Sequence, residues 1–78
     1  MPRFFIDLHD GTDIVRDRDG YDLPNLEAAR SQAVKIMTRI AQSLSDEPGR
    51  QDFVAAVRDD AGVVRLRFRL SLDAGPVG

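Results

Sequence analysis

From Val64 to Leu72 the chain reads Val-Arg-Leu-Arg-Phe-Arg-Leu-Ser-Leu, so every second residue is apolar and each residue between is arginine or serine. A strand points successive side chains to opposite faces, and unbroken alternation of this length specifies a strand with one buried and one solvated face. Such a strand needs a neighbour to pair with and an apolar layer to cover. The neighbour lies immediately upstream. From Gln51 onward Phe53, Ala55 and Val57 face one way, Asp59-Asp60-Ala61-Gly62 supplies a turn, and Val64, Leu66, Phe68, Leu70 and Leu72 resume the inward series.

The covering layer is a helix. Between Asn25 and about Leu44 the apolar residues Leu26, Ala29, Ala33, Ile36, Met37, Ile40 and Leu44 recur at steps of three and four, which gathers them into one stripe. Ile36 and Ile40 sit at the centre of that stripe, and Ser31, Lys35, Thr38 and Gln42 lie opposite. Asn25 can accept from the free amides of the first turn, Glu27 complements the positive helix end, and Pro48 blocks continuation.

Two strands precede the helix. Phe4, Ile6 and Leu8 alternate with Arg3, Phe5, Asp7 and His9, and after the Asp10-Gly11 turn a brief strand spans about Thr12 to Asp17. The result is a single α+β domain of ββαββ order. The first and third strands are apolar on both faces, which suits the centre of a sheet, whereas the fourth carries arginine at alternate positions and the second is short. The spatial order 2-1-3-4 satisfies this and keeps neighbours antiparallel, with the helix on one face.

At 78 residues and 8.7 kDa the chain accommodates one domain, over residues 1–72, with residues 73–78 as a flexible tail. There is no cysteine, which removes disulfides, thiolate metal sites and cysteine nucleophiles. Asp7 interrupts the N-terminal apolar run too early for a signal peptide or a membrane span, so a cytoplasmic location is expected. Eleven basic residues against thirteen acidic ones argue against a general attraction to nucleic acid or anionic lipid.

Four segments taken in order carry a resemblance: Pro2-Arg3-Phe4-Phe5-Ile6-Asp7-Leu8-His9-Asp10-Gly11, Arg16-Asp17-Arg18-Asp19-Gly20, Leu23-Pro24-Asn25-Leu26-Glu27-Ala28-Ala29-Arg30, and Val57-Arg58-Asp59-Asp60-Ala61-Gly62. Together they resemble a family of short alphaproteobacterial proteins catalogued as a domain of unknown function. The resemblance reaches to about Leu72 and implies no activity. Residues Asn25 to Ala29 and the element order are also similar to the HicB-type antitoxin domain.

Candidate chemistry is sparse. His9, the only histidine, lies between Asp7 and Asp10, where a general base beside a carboxylate is conceivable, but no hydroxyl nucleophile with an activating neighbour and no glycine-rich phosphate loop accompanies it. The expected role of His9 is a hydrogen bond into the Asp10-Gly11 turn. Asp13, Asp17, Asp19 and Gly20 suggest a calcium loop, yet with Gly20 in sixth place the first ligand falls on Val15 and the last on Leu26, with Glu27 one residue off. These acids read as turn residues. No catalytic, cofactor-binding or metal-ligating residue is assigned, and the chain is not expected to be an enzyme.

The informative surface is the face of the sheet opposite the helix. Arg65, Arg67 and Arg69 alternate there, within reach of Arg58 and Arg3, and Phe5, Val54, Ala56 and Val63 add apolar area. The arginines suit either a phosphate or RNA contact strip or an edge strand protected by charge and paired with Asp52 or Asp7. The acidic balance favours the second. The expected function is therefore a non-enzymatic module that binds another protein or itself, through Phe5, Val54, Ala56, Val63, Arg65, Arg67 and Arg69. The alternative is a small nucleic-acid-binding or antitoxin-like regulator that uses the arginines.

Overall fold

A computed structural model describes residues 2–42 and 49–77. In chain order its elements are β1 (Arg3–His9), β2 (Ile14–Val15), β3 (Tyr21–Asp22), α1 (Leu26–Gln42), β4 (Gly49–Arg58) and β5 (Val64–Ala74). The sheet is antiparallel and runs β2-β1-β4-β5, with β3 paired to β1 off that path. This is the expected α+β arrangement with one strand added. The strand expected over Thr12 to Asp17 shrinks to Ile14–Val15, and the chain returns to β1 at Tyr21, opposite Phe4.

The helix begins where the sequence places it. Asn25 Oδ1 accepts the Ala28 amide at 2.9 Å and its carbonyl accepts the Ala29 amide, which satisfies two donors of the first turn. The helix is described to Gln42; Leu44 and Pro48, expected to end it, lie outside the described residues.

The core differs in its centre. Ala29, Ala33, Ala55 and Val57 are fully enclosed, with Phe4, Ile6 and Met37 also buried. Ile36 and Ile40, expected at the middle of the stripe, are half-buried and flank it. The reason is steric: two alanines a turn apart let the helix backbone approach the sheet, and the longer isoleucines then fill the space beside the contact line rather than beneath it.

The hairpin of β4 and β5 is the longest feature. It pairs without interruption from Gly49 opposite Ala74 to Val57 opposite Leu66, so Asp73 and Ala74, expected in the tail, belong to the strand. A register shift follows at Val57/Arg58, where Arg58 pairs with Val64. This bulge turns Val64 out of the inward series, and it is 48% exposed. Val63 lies in the turn rather than on the sheet face, its amide donating to Asp59 Oδ1 at 2.9 Å.

β1 covers β4 only from Val54 to Arg58, and the far half of the hairpin projects past it. The molecule measures 51 × 21 × 17 Å, with a radius of gyration of 14.2 Å against about 11.5 Å for a compact chain of this length.

The enclosed alanines generate a prediction. Ala33→Leu should lower the unfolding free energy by about 2 kcal/mol or more, because the added methylenes have no space between helix and sheet. Ser31→Asp, on the exposed face, should change it by less than about 0.5 kcal/mol. Urea denaturation monitored by circular dichroism compares the two, and equal midpoints would place the contact line elsewhere.

Candidate functional site

Cross-strand register fixes which side chains share the helix-free face. Phe5 stands opposite Arg58, Asp7 opposite Ala56 and then Arg67, and His9 opposite Val54 and then Arg69. Asp52 and Ser71, then Arg50 and Asp73, continue the same face toward the open end of the hairpin. The face thus carries a short apolar strip, Val54 and Ala56, between an Asp7/His9 row and an Arg67/Arg69 row.

One end of it is closed by the segment between β2 and β3. There the Asp17 carboxylate takes the place of a missing strand: Oδ2 accepts the Ile6 amide at 3.1 Å, and Oδ1 accepts the amides of Asp19 and Gly20 at 3.2 and 2.9 Å. The Asp17 amide donates to Asp7 Oδ1 at 2.9 Å. Gly20 has φ +75°, and a Cβ there would stand 2.8 Å from Arg3 Cγ and 2.9 Å from Phe5 Cε1. Only glycine fits, and its backbone lies against the Phe5 ring.

Arg58 completes the closure. Its Nε donates to Asp7 Oδ2 at 2.6 Å, its Nη2 donates to Asp7 Oδ1 and to the Asp17 carbonyl, and its guanidinium lies 4.9 Å from the centre of the Phe5 ring. The Asp7 and Arg58 side chains are only 16% and 14% exposed. Burial pushes the Asp7 carboxyl up, but the Arg58 guanidinium and the Asp17 amide together outweigh it and hold Asp7 below the usual carboxylate range. Arg58 is raised, chiefly by its hydrogen bond to Asp7.

The arginines grouped by sequence are thus divided. Arg58 is committed to Asp7, and Arg3 is held by Asp22 and by the Asp19 carbonyl. Arg65 reaches Asp59 at 3.4 Å. Neither anticipated partner of the strip is available: Asp7 holds Arg58, and Asp52 is taken by Arg50 and by the Ser71 hydroxyl. Asp52 sits below the ordinary carboxylate range, first because of Ser71, with Arg50 and the more remote Arg69 adding to the effect. The Arg67 side chain is exposed and makes no hydrogen bond or ion pair among the described residues. Five candidate cations reduce to two, Arg67 and Arg69. Phe5 likewise is not an open anchor, since Gly20 and Arg58 occupy its ring.

The other acids serve turns. Asp10 Oδ1 accepts the Thr12 and Asp13 amides, and Asp59 Oδ1 accepts those of Ala61 and Val63. The Gly11 amide donates to His9 Nδ1 at 3.3 Å. Asp13, Asp17 and Asp19 do not converge, and no cluster of three metal-ligating side chains exists among the described residues. What the sequence missed is the role of Asp17, which reads as an ordinary turn residue because its main partner, Ile6, is eleven positions away.

The family model described as Domain of unknown function (DUF6894) matches residues 3–71. The chain belongs to this family. The match spans all of the polar closure, from Arg3 and Asp7 through Asp17 and Gly20 to Arg58, so three of the four segments that resemble the family, those at residues 2–11, 16–20 and 57–62, meet in one cluster. Among curated proteins and solved structures nothing matches. No helix among the described residues is long and apolar enough to cross a membrane.

The closure predicts two measurable effects. Asp17→Ala should lower the unfolding free energy by about 2 kcal/mol, because it strands the amide of Ile6 on a half-covered face. For pH, the folded state holds Asp7 below its unfolded value, so its contribution is present above about pH 4 and is lost as pH falls through the folded pKa. Asp7→Asn should be less stable at pH 7 and should lose stability less steeply on acidification below pH 4. Denaturant titrations at pH 7, 4 and 3 read both.

Proposed function

We propose that this chain is a non-enzymatic interaction module that associates with itself or with another protein through the helix-free face of its sheet. The observation that carries the reading is unburied area. The chain exposes 5652 Å², whereas a compact monomer of 8.7 kDa exposes about 4,700 Å². The excess, about 900 Å², is close to the 800 Å² or so that each partner contributes to a standard interface. Val54 and Ala56 lie partly exposed on that face between the Asp7/His9 and Arg67/Arg69 rows, which suits a flat protein surface better than a small ligand.

The residues with potential chemistry support the same reading. The acids of the turns are occupied by backbone amides, and His9 accepts from the Gly11 amide rather than facing a nucleophile. A nucleic-acid module is the second reading, and it now rests on Arg67 and Arg69, the remaining cations of the strip. Two contacts of this kind in a chain of net charge -2 give weak sequence-independent attraction.

Sedimentation and RNA binding at several salt concentrations separate the two. Wild type should associate, Val54→Lys should weaken that association about tenfold or more, and RNA should be retained only at low salt. The proposal fails if wild type remains monomeric near millimolar concentration and binds RNA at micromolar levels or tighter. In that case Arg67→Gln with Arg69→Gln should reduce the salt slope by roughly two.

A further inference from the structure

β5 is the terminal strand of the sheet, and among the described residues its outer edge has no neighbouring strand. The edge is long for a chain of this size. Beyond the bulge at Val57/Arg58 it runs without irregularity from Leu66 to Ala74, presenting a row of free amides and carbonyls. The residue at its midpoint is Leu70.

We propose that this edge pairs antiparallel with the same edge of a second copy, about a twofold axis at Leu70, to make one continuous sheet across two chains. The proposal rests on the self-association of the reading above and moves the contact from the sheet face to the edge of β5. A twofold contact of this type requires the strand to be complementary to itself. With Leu70 opposite Leu70, Phe68 meets Leu72 and Leu66 meets Ala74 on the helix side, all apolar. On the other side Arg69 meets Ser71, and Arg67 meets Asp73.

The last pair is the informative one. Arg67 and Asp73 are both exposed, and neither side chain has an ion pair or hydrogen bond among the described residues, although Asp73 stands opposite Arg50, which is paired with Asp52. Within one chain they are six positions apart on one strand; between two chains in this register they are directly opposite, at about 5 Å between Cβ atoms.

Neighbouring registers are worse. An axis at Arg69 sets that arginine against itself, and an axis at Phe68 sets Arg67 against Arg69 twice. An axis at Ser71 sets Arg69 against Asp73, but it pairs only Phe68 to Ala74, and Pro76 has no amide with which to extend the ladder. The charges that protect the edge from indiscriminate pairing therefore leave one full-length arrangement open, and its closed symmetry consumes the edge.

The helix side fits the same assembly. A shallow groove between α1 and β5 is lined by Val34, Met37, Thr38, Ala41, Phe68 and Leu70. Val34 and Leu72 are 43% and 37% exposed, and a partner strand would continue the floor of that groove and cover Leu72.

The chain has no cysteine, so a single introduced one reports the register. Leu70→Cys should cross-link to itself under mild oxidation, whereas Leu66→Cys, far from the axis, should not. In sedimentation, Arg67→Asp and Asp73→Arg should each weaken the dimer about tenfold or more, and the double swap should restore it. Both positions are exposed, and circular dichroism confirms that each variant folds. A dimer that resists both charge reversals and fails to cross-link at residue 70, yet dissociates with Val54→Lys, overturns the edge contact and leaves the face reading standing. A wild-type chain that stays monomeric near millimolar concentration overturns the edge contact and the self-association on which it rests.

Discussion

The fold depends on one carboxylate used where a strand would otherwise run. Asp17 accepts the Ile6 amide with one oxygen and the amides of Asp19 and Gly20 with the other, while its own amide and carbonyl engage Asp7 and Arg58. Without it, residues 16–20 would leave β1 with an unsatisfied donor beside the buried side chain of Ile6. A charged acceptor is well suited to this task, since bonds to an ionised group contribute more than neutral ones and one carboxylate can serve several donors. The same residue thus ties the irregular segment to the first strand and, through Arg58, to the hairpin.

That arrangement changes what the family-like segments mean. Arg3, Asp7, Asp17, Gly20 and Arg58 carry charge and a glycine in patterns that invite a search for ligands or metals. Assembled, they satisfy one another: Arg58 neutralises Asp7, Arg3 is held by Asp22, and Gly20 is small because Phe5 and Arg3 stand against it. The stretch matched by the family, residues 3–71, includes all of these scaffold-building residues. Arg67 and Asp73, whose side chains have no hydrogen bond or ion pair among the described residues, lie on the last strand and outside those segments.

The parts of the fold legible in the sequence are those governed by period. The alternation of β5, the stripe of α1 and the two-faced apolar character of β1 and β4 each follow from one element's own geometry, and they give the α+β class and the central position of β1 and β4. The capping role of Asn25 is local and equally readable. What escaped is set by contacts between elements. Ala33 rather than Ile36 or Ile40 marks the contact line because the helix settles as close as its small residues allow, a fact about two surfaces. The bulge that exposes Val64, the pairing of Tyr21 with Phe4, and the use of Asp17 by Ile6 depend likewise on positions remote in sequence. On the candidate surface, the placement of Val54, Ala56, Arg67 and Arg69 followed from alternation. The loss of Phe5, Arg58 and Arg65 to internal contacts did not.

A chain this small has little core to spare, and its shape shows where the deficit falls. Four of the described residues are fully enclosed, and the far half of the hairpin lies beyond the cover of β1. A two-stranded ribbon alone in water is marginally stable, because each strand buries only one edge and one face. Nature commonly blunts such an edge with charge, and β5 does carry alternate arginines, but it also carries Asp73 at the distance from Arg67 that a twofold pairing centred on Leu70 requires. Charge of one sign alone would close the edge to every copy. Charge of both signs closes it to the registers that oppose like charges, and of those left open the one centred on Leu70 pairs the strand over its full length. On that argument the projecting hairpin is the part of the domain completed by association, and its arginines select the partner strand rather than repel it.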